Sequence, residues 1–179
     1  FAAACKEAIG EDLSYVLTVA NDSQTTATGQ LIQEMAKEFG VEVELKPVPQ
    51  SELIDLAIAG DFEAVSFRLY PGGEPDDNYI FWTNGSPVNF GRIQDDTLTG
   101  LMEQGRVSSD EAERTQIYED VNRRFASEAY NIWQWWTTWD IGTAPNVYGV
   151  LGPDLPDGGG KPFQGLAGGH PVTSMWIDQ

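Results

Sequence analysis

This sequence predicts an α/β domain, a mixed sheet covered by helices, on three observations. Segments with period-two apolar alternation take turns with segments of helical spacing, in the order β-α-β-α-β over residues 15–69. Both intervening helical segments end at a glycine, Gly40 and Gly60, the residue that most readily adopts the left-handed turn closing a helix. The 179 residues, 41% hydrophobic and 11% aromatic, supply one well-buried core and too little for two comfortable domains. Right-handed crossovers follow from strand and helix handedness.

Residues 1–12 read as the end of a helix, with Ala4, Ala8 and Ile9 on one face and Gly10 as its stop. A strand follows at 15–20, and Asn21, Asp22 and Ser23 supply turn and helix-cap chemistry. Over residues 25–39, Leu31, Ile32, Met35 and Phe39 fall on one face and are expected in the core, while Gln30, Gln33, Glu34, Lys37 and Glu38 face water. Val41, Val43 and Leu45 alternate with acids and Lys46 in a half-buried strand ended by Pro47. Ser51 caps a helix carrying Leu53, Ile54, Ala57 and Ile58. The strand at 62–69 is expected inside the sheet, with Val65, Phe67 and Leu69 on one face and Ala64, Ser66 and Arg68 on the other. It delivers Arg68 to its C-terminal tip, where ligands sit in open α/β sheets, and Pro71, Gly72, Gly73 and Pro75 then force a surface loop.

Residues 77–82 predict a short aromatic helix, and Asp95 or Asp96 caps another that buries Leu98, Leu101 and Met102. Asp110 with Glu113 has the spacing of a capping box opening the longest helix, with Ile117, Tyr118, Val121, Phe125 and Ala129 on one face. Its charges at Arg114, Glu119, Arg123 and Arg124 read as solvated. The aromatic run 131–139 predicts a strand, with Trp133, Trp135 and Trp139 on one side and Ile132 and Trp136 on the other. Core packing and a ligand-stacking platform are both open for it. Residues 1–146 thus make the α/β body, and 147–179 a Gly/Pro-rich tail with a terminal strand at Met175, Trp176 and Ile177.

Twenty-eight acids against ten Lys and Arg give a net charge of −18, which opposes nucleic acid and anionic membranes as partners. One cysteine, Cys5, makes no internal disulfide. The opening FAAACKEA lacks the regions of a secretion signal, and no apolar run has the length of a membrane span. Gly158–Lys161 superficially suggests a phosphate loop, but Pro162 stands where the motif needs Ser or Thr. The lone His170 has no nucleophile motif nearby. Glu74, Asp76 and Asp77 lack the spacing of a calcium loop and read as helix N-terminal acids, so no metal or cofactor is expected. The candidate ligand wall is Arg68, Leu69, Tyr70, Pro71, Gly72 and Gly73, with Asn89 and Arg92 brought back by the loop.

Four pieces in this order, Gly60-Asp61-Phe62-Glu63, Glu74-Pro75-Asp76, Tyr79-Ile80-Phe81-Trp82 and Asn89-Phe90-Gly91-Arg92, resemble the peptide/nickel-binding family of extracellular solute-binding proteins. The run AERTQIYEDVNRRFASEAYNIW is similar to the family's (Ala/Glu)-Arg-x-x-x-Tyr helix running into its next strand, so the resemblance covers nearly the whole chain. It implies a periplasmic-binding-protein-like (type II) lobe, the C-terminal one, without the N-terminal lobe that closes over the solute. It also implies a small solute, an ABC permease as partner, and a periplasmic or cell-surface location, the latter as a lipoprotein. The family's ligand-loop Trp falls here at Leu69 or Tyr70 and its amine-binding Asp at Gly72 or Gly73, so the usual capture of a free peptide amine is not expected. Arg68 instead suits a solute carboxylate. An α/β hydrolase using a loop acid and His170, and a sensory or structural domain that has lost its solute, are the alternatives.

Overall fold

The computed structural model describes residues 2–69, 74–135, 142–156, 158 and 172–178. Its organising strand is β1 (Ser14–Ala20), buried on both faces because Leu17 and Val19 point one way and Thr18 and Ala20 the other. It pairs in parallel with β2 (Glu42–Val48) on one side and β3 (Ala64–Val65) on the other, giving the order β2-β1-β3. Helix α2 (Ser23–Glu38) makes the first crossover and α3 (Gln50–Ala59) the second. They cover opposite faces. Leu17, Val19, Val41 and Val43 pack with Ile32 and Ala36 of α2, whereas Ala20 and Val48 pack with Leu53 and Leu56 of α3.

Local chemistry sets the helix ends. Asp22 caps α2, its Oδ1 accepting the Thr25 N–H at 3.0 Å, and Gly60 closes α3 in the left-handed region at φ 75°. α3 starts from Pro49 without a side-chain cap, so Ser51 does not cap it as expected. α1 (Ala2–Ile9) ends before Gly10, but Ala4 and Ala8, expected on an apolar face, are exposed.

Three expectations need larger corrections. The segment 62–69 is not an interior strand: only Ala64–Val65 joins the ladder, at the edge of the three-strand order. The Glu63 carboxylate accepts the Val16 N–H at 2.7 Å, the position a continuing strand would fill, and this shortens β3 at its start. On α2 the bulky stripe is outside, with Leu31 56%, Met35 54% and Phe39 65% exposed. The line facing the sheet is Thr25, Gly29, Ile32 and Ala36. A Cβ at Gly29 would stand 2.5 Å from Leu45 Cδ1, so small residues let this helix lie close to the strands. Residues 131–135 of the aromatic run form no strand, and Trp133 is 67% exposed while touching Trp82 edge-on and Phe125 at a tilt; Trp136 and Trp139 lie outside the described residues.

Residues 75–128 are mainly helical. A 3-10 turn at Pro75–Asn78 leads into α4 (Tyr79–Trp82), and α5 (Asp96–Val107) and α6 (Glu111–Glu128) form a hairpin. Ile93, Leu98, Met102, Val121 and Phe125 fill its core, with Tyr79, Trp82, Leu101, Tyr118 and Tyr130 packed around them. Asp110 caps α6 through the Glu113 N–H at 2.8 Å. Arg123 pairs with Glu119 and Asp120 on the surface, but Arg114 and Arg124 are not merely solvated: they reach Glu74 and Asp95 on other elements. The two halves meet where Phe67 touches Phe90 at 5.1 Å between ring centres and Phe90 touches Phe81 at 6.2 Å.

The principal sheet is parallel, and an antiparallel pair, β4 (Val147–Tyr148) with β5 (Trp176–Ile177), forms a separate ribbon. The rings of Tyr148 and Trp176 stack at 4.4 Å.

Candidate functional site

The C-terminal tips of β1 and β3 and the N-terminus of α2 converge on one polar cluster. Arg68, three residues beyond β3, places Nη2 2.8 Å from both carboxylate oxygens of Asp22 and 2.5 Å from Thr25 Oγ1. The Thr25 hydroxyl in turn donates to Asp22 Oδ2 at 2.7 Å. That hydroxyl and the Thr25 N–H hold the Asp22 carboxyl down at about 2; partial burial opposes them and Arg68 reinforces them. Asp22 therefore serves α2 as its cap and Arg68 as its counter-ion. It was legible in the sequence only as a cap, because a contact 46 residues away leaves no local spacing signal.

Leu69 is half-buried beside this cluster, and Tyr70, Pro71, Gly72 and Gly73 lie outside the described residues, as does His170. The structure puts the other two candidates elsewhere. Asn89 is buried; its Nδ2 donates to Thr83 O and Ile93 O, and its Oδ1 accepts the Ile93 N–H. Arg92, at φ 52°, donates from Nη2 to Ile58 O at 3.0 Å and lies against Gly60, where a cation suits the carbonyl end of α3. Both residues stitch the joint between the sheet and the helical half.

The acids after the loop are also engaged. Glu74 pairs with Arg114, which holds the Glu74 carboxyl below its ordinary range and pushes the Arg114 guanidinium up. Asp76 sits 3.1 Å from Arg106, whose guanidinium also covers the Tyr79 ring at 4.2 Å. Among the described residues no three His, Cys, Asp or Glu side chains gather as a metal site would require. An open groove of about 530 Å³ is walled by Val16 and Thr18 of β1, Glu44 and Lys46 of β2, and residues 60–63 leading into β3. No helix among the described residues is long and apolar enough to cross a membrane.

A three-stranded parallel sheet with a helix on each face defines an α/β body, and the solved structures it resembles make the fold type II periplasmic-binding-protein-like. No protein-family model and no curated protein matches the chain. Solved structures do. The substrate-binding protein CtaP of an ABC transporter from Listeria monocytogenes superposes with a TM-score of 0.63 at 24% identity, over 73% of this chain and 28% of that one. The murein tripeptide binding protein MppA of Escherichia coli gives 0.63 at 17%, over 68% and 24%. A nickel ABC transporter protein from Bacillus halodurans gives 0.58 at 21%, over 68% and 26%. At these identities the likeness is one of fold, and the chain spans about a quarter of the length of each of the three.

Proposed function

We propose that this chain is one wall of a solute-binding site, the C-terminal lobe of a two-lobed extracytoplasmic protein that hands a small solute to an ABC permease. The observation that carries the reading is the fold likeness to substrate-binding proteins for peptides and nickel, over about 70% of this chain and a quarter of theirs. The cluster of Arg68, Asp22 and Thr25 at the strand tips supports it, because that end of an open α/β sheet is where ligands bind. Arg68, with Leu69 beside it, is the chemical centre of the wall. Since Asp22 already balances its charge, a solute carboxylate reaches the guanidinium only by sharing it, and a peptide-like solute with a neutral or zwitterionic contact group fits the pair better than a free anion.

A ligand between two lobes gains most of its burial only when both walls are present. In calorimetry against a panel of short peptides and nickel, the 179-residue chain is expected to bind weakly or not at all, and a body including the other lobe to bind tightly. Tight binding by the chain alone overturns the lobe reading, and turnover of any panel member favours an enzyme. In the two-lobed body Arg68→Ala is expected to weaken binding by about 1.5–3 kcal/mol if a solute carboxylate shares the guanidinium. Unchanged affinity with lower thermal stability would assign Arg68 to the cap of α2 alone.

A further inference from the structure

Among the asparagines of the chain only Asn84 is followed by a glycine. A residue without a side chain leaves its main-chain nitrogen unhindered toward the preceding side-chain amide, so this pair is where ring closure onto that amide is easiest. The fold holds it back in two ways. Residues 83–86 form a tight turn closed by the Ser86 N–H on Thr83 O at 3.3 Å, with Gly85 at φ 73° and Asn84 at a negative φ, the arrangement of a type II turn. That backbone points the Gly85 nitrogen away from Asn84 Cγ. The amide is also tethered: its Nδ2 donates to Asp96 Oδ1 at 2.8 Å, its Oδ1 accepts the Asp95 N–H at 2.8 Å, and the Asn84 N–H donates to Thr99 Oγ1 at 3.1 Å. Asn84 is thus a clasp between the turn and the start of α5. The clasp is shallow, since Asn84 is half-buried and Gly85 and Asp96 are exposed, so it opens without breaking the core.

We propose that Asn84 is a spontaneous modification site, deamidating through a succinimide whenever this clasp opens. In the opened turn the Gly85 nitrogen attacks Asn84 Cγ; the new N–C bond forms as the Cγ–Nδ2 bond breaks, and ammonia leaves with the proton that the Gly85 nitrogen gives up. Water then opens the ring at either carbonyl, leaving aspartate or isoaspartate. No other reactant is needed. The product does not reclose the clasp. An aspartate at position 84 still offers an oxygen to the Asp95 N–H, but its second oxygen replaces the Nδ2 donor and faces the Asp96 carboxylate, where like charges repel. An isoaspartate adds a main-chain carbon to the turn, so the bonds to Thr83 O and Thr99 Oγ1 lose their register. Each conversion also adds negative charge to a chain already at −18. The site is a one-way timer on the opening of α5. It goes beyond the solute-binding reading and does not depend on it, since Asn84 takes no part in the cluster around Arg68.

Peptide mapping of the 179-residue chain, aged in mildly alkaline buffer beside the free peptide TNGSP, tests it. Asn84 is expected to be the first amide converted, to a mixture of aspartate and isoaspartate, at a rate at least about tenfold below that of the peptide, because only the open fraction reacts. Asp96→Ala removes the acceptor of Nδ2 and is expected to speed conversion about two- to tenfold, the worth of one hydrogen bond in the opening equilibrium. Should that variant not fold, Thr99→Val, which removes the acceptor of the Asn84 N–H, must do the same. Asn84→Asp makes the product directly and is expected to speed amide exchange at Asp95, Thr97 and Leu98 while leaving α6 unchanged. Adding Asp96→Asn to it returns a donor to the pair and is expected to restore the native exchange. An intact Asn84 after about a hundred half-lives of the peptide overturns the proposal, and so does earlier conversion of any other amide. Conversion at the peptide's own rate, the same in either acceptor variant, removes the gating and overturns it too. Unchanged exchange at Asp95 in Asn84→Asp overturns the timer.

Discussion

At Asp95 one carboxylate holds together three elements. It caps α5 through the N–H groups of Thr97 and Leu98, and its Oδ2 accepts from Arg124 Nε and from the Tyr130 hydroxyl, each at 2.7 Å. Burial pushes this carboxyl up, but Arg124, Tyr130 and the Leu98 N–H outweigh burial and hold it at about 2. Asp95→Ala removes both the cap and the partner of Arg124, and is expected to cost about 3 kcal/mol in urea unfolding. Asp95→Asn keeps a capping oxygen and should cost less. Because the folded carboxyl titrates below its ordinary value of 3.8, its contribution is complete above that pH and is lost as pH falls toward 2. Acid unfolding of Asp95→Asn should therefore begin from lower stability but lack this part of the fall between about pH 4 and 2. Asn89 teaches the complementary lesson. The sequence offered it as a ligand contact because it returns from the loop, yet a buried amide with three main-chain bonds is a brace, and Asn89→Ala should lower stability by about 2 kcal/mol.

Among the elements, α2 separates what sequence periodicity can tell from what it cannot. The helix itself was legible, since Asp22 and Gly40 mark its ends through contacts a few residues away. Its orientation was not. Size of apolar residues favoured Leu31, Met35 and Phe39 as the core line, whereas closeness of approach chose Gly29 and Ala36, whose backbone can reach the sheet. Met35→Gln is accordingly expected to change stability by no more than about 0.5 kcal/mol, the usual effect of a surface substitution. Met102→Ala, in the core of the α5–α6 hairpin, should cost about 2–5 kcal/mol. Equal effects at the two sites, read as shifts of the urea midpoint, would mean that α2 buries its bulky face in solution. The strand at 62–69 failed to be legible for a similar reason. Alternation gave its two faces, but pairing depends on Glu63 reaching across to Val16, a side chain competing for a ladder position. At the strand tips the sequence found Arg68 and missed its partners Asp22 and Thr25, which are brought there only by the crossover.

For the whole molecule, charge and layering govern behaviour together. With 28 acids and ten Lys and Arg, repulsion among unpaired carboxylates outweighs the surface ion pairs, whose individual contributions are small. Melting temperature is therefore expected to rise as sodium chloride goes from about 10 mM to 500 mM, over which the Debye length falls from about 30 Å to below 8 Å. A falling melting temperature would show that pairs such as Glu74–Arg114 and Asp95–Arg124 dominate the electrostatics. The apolar layers make a second demand. Among the described residues the sheet owns two clusters and the helical hairpin a third, and the Phe67–Phe90–Phe81 contacts and the bond from Arg92 to Ile58 are among those that join them. Separate clusters make separate cooperative units, and native-state hydrogen exchange is expected to sort the slow amides of β1 and those of α6 into two groups with different opening free energies. Phe90→Ala should drive those groups further apart, and a single shared opening energy that survives it would mean that the seam is broader than these contacts. Two such groups would let the helical hairpin loosen while the sheet stays folded, so that a tug at one layer is spent before it reaches the other.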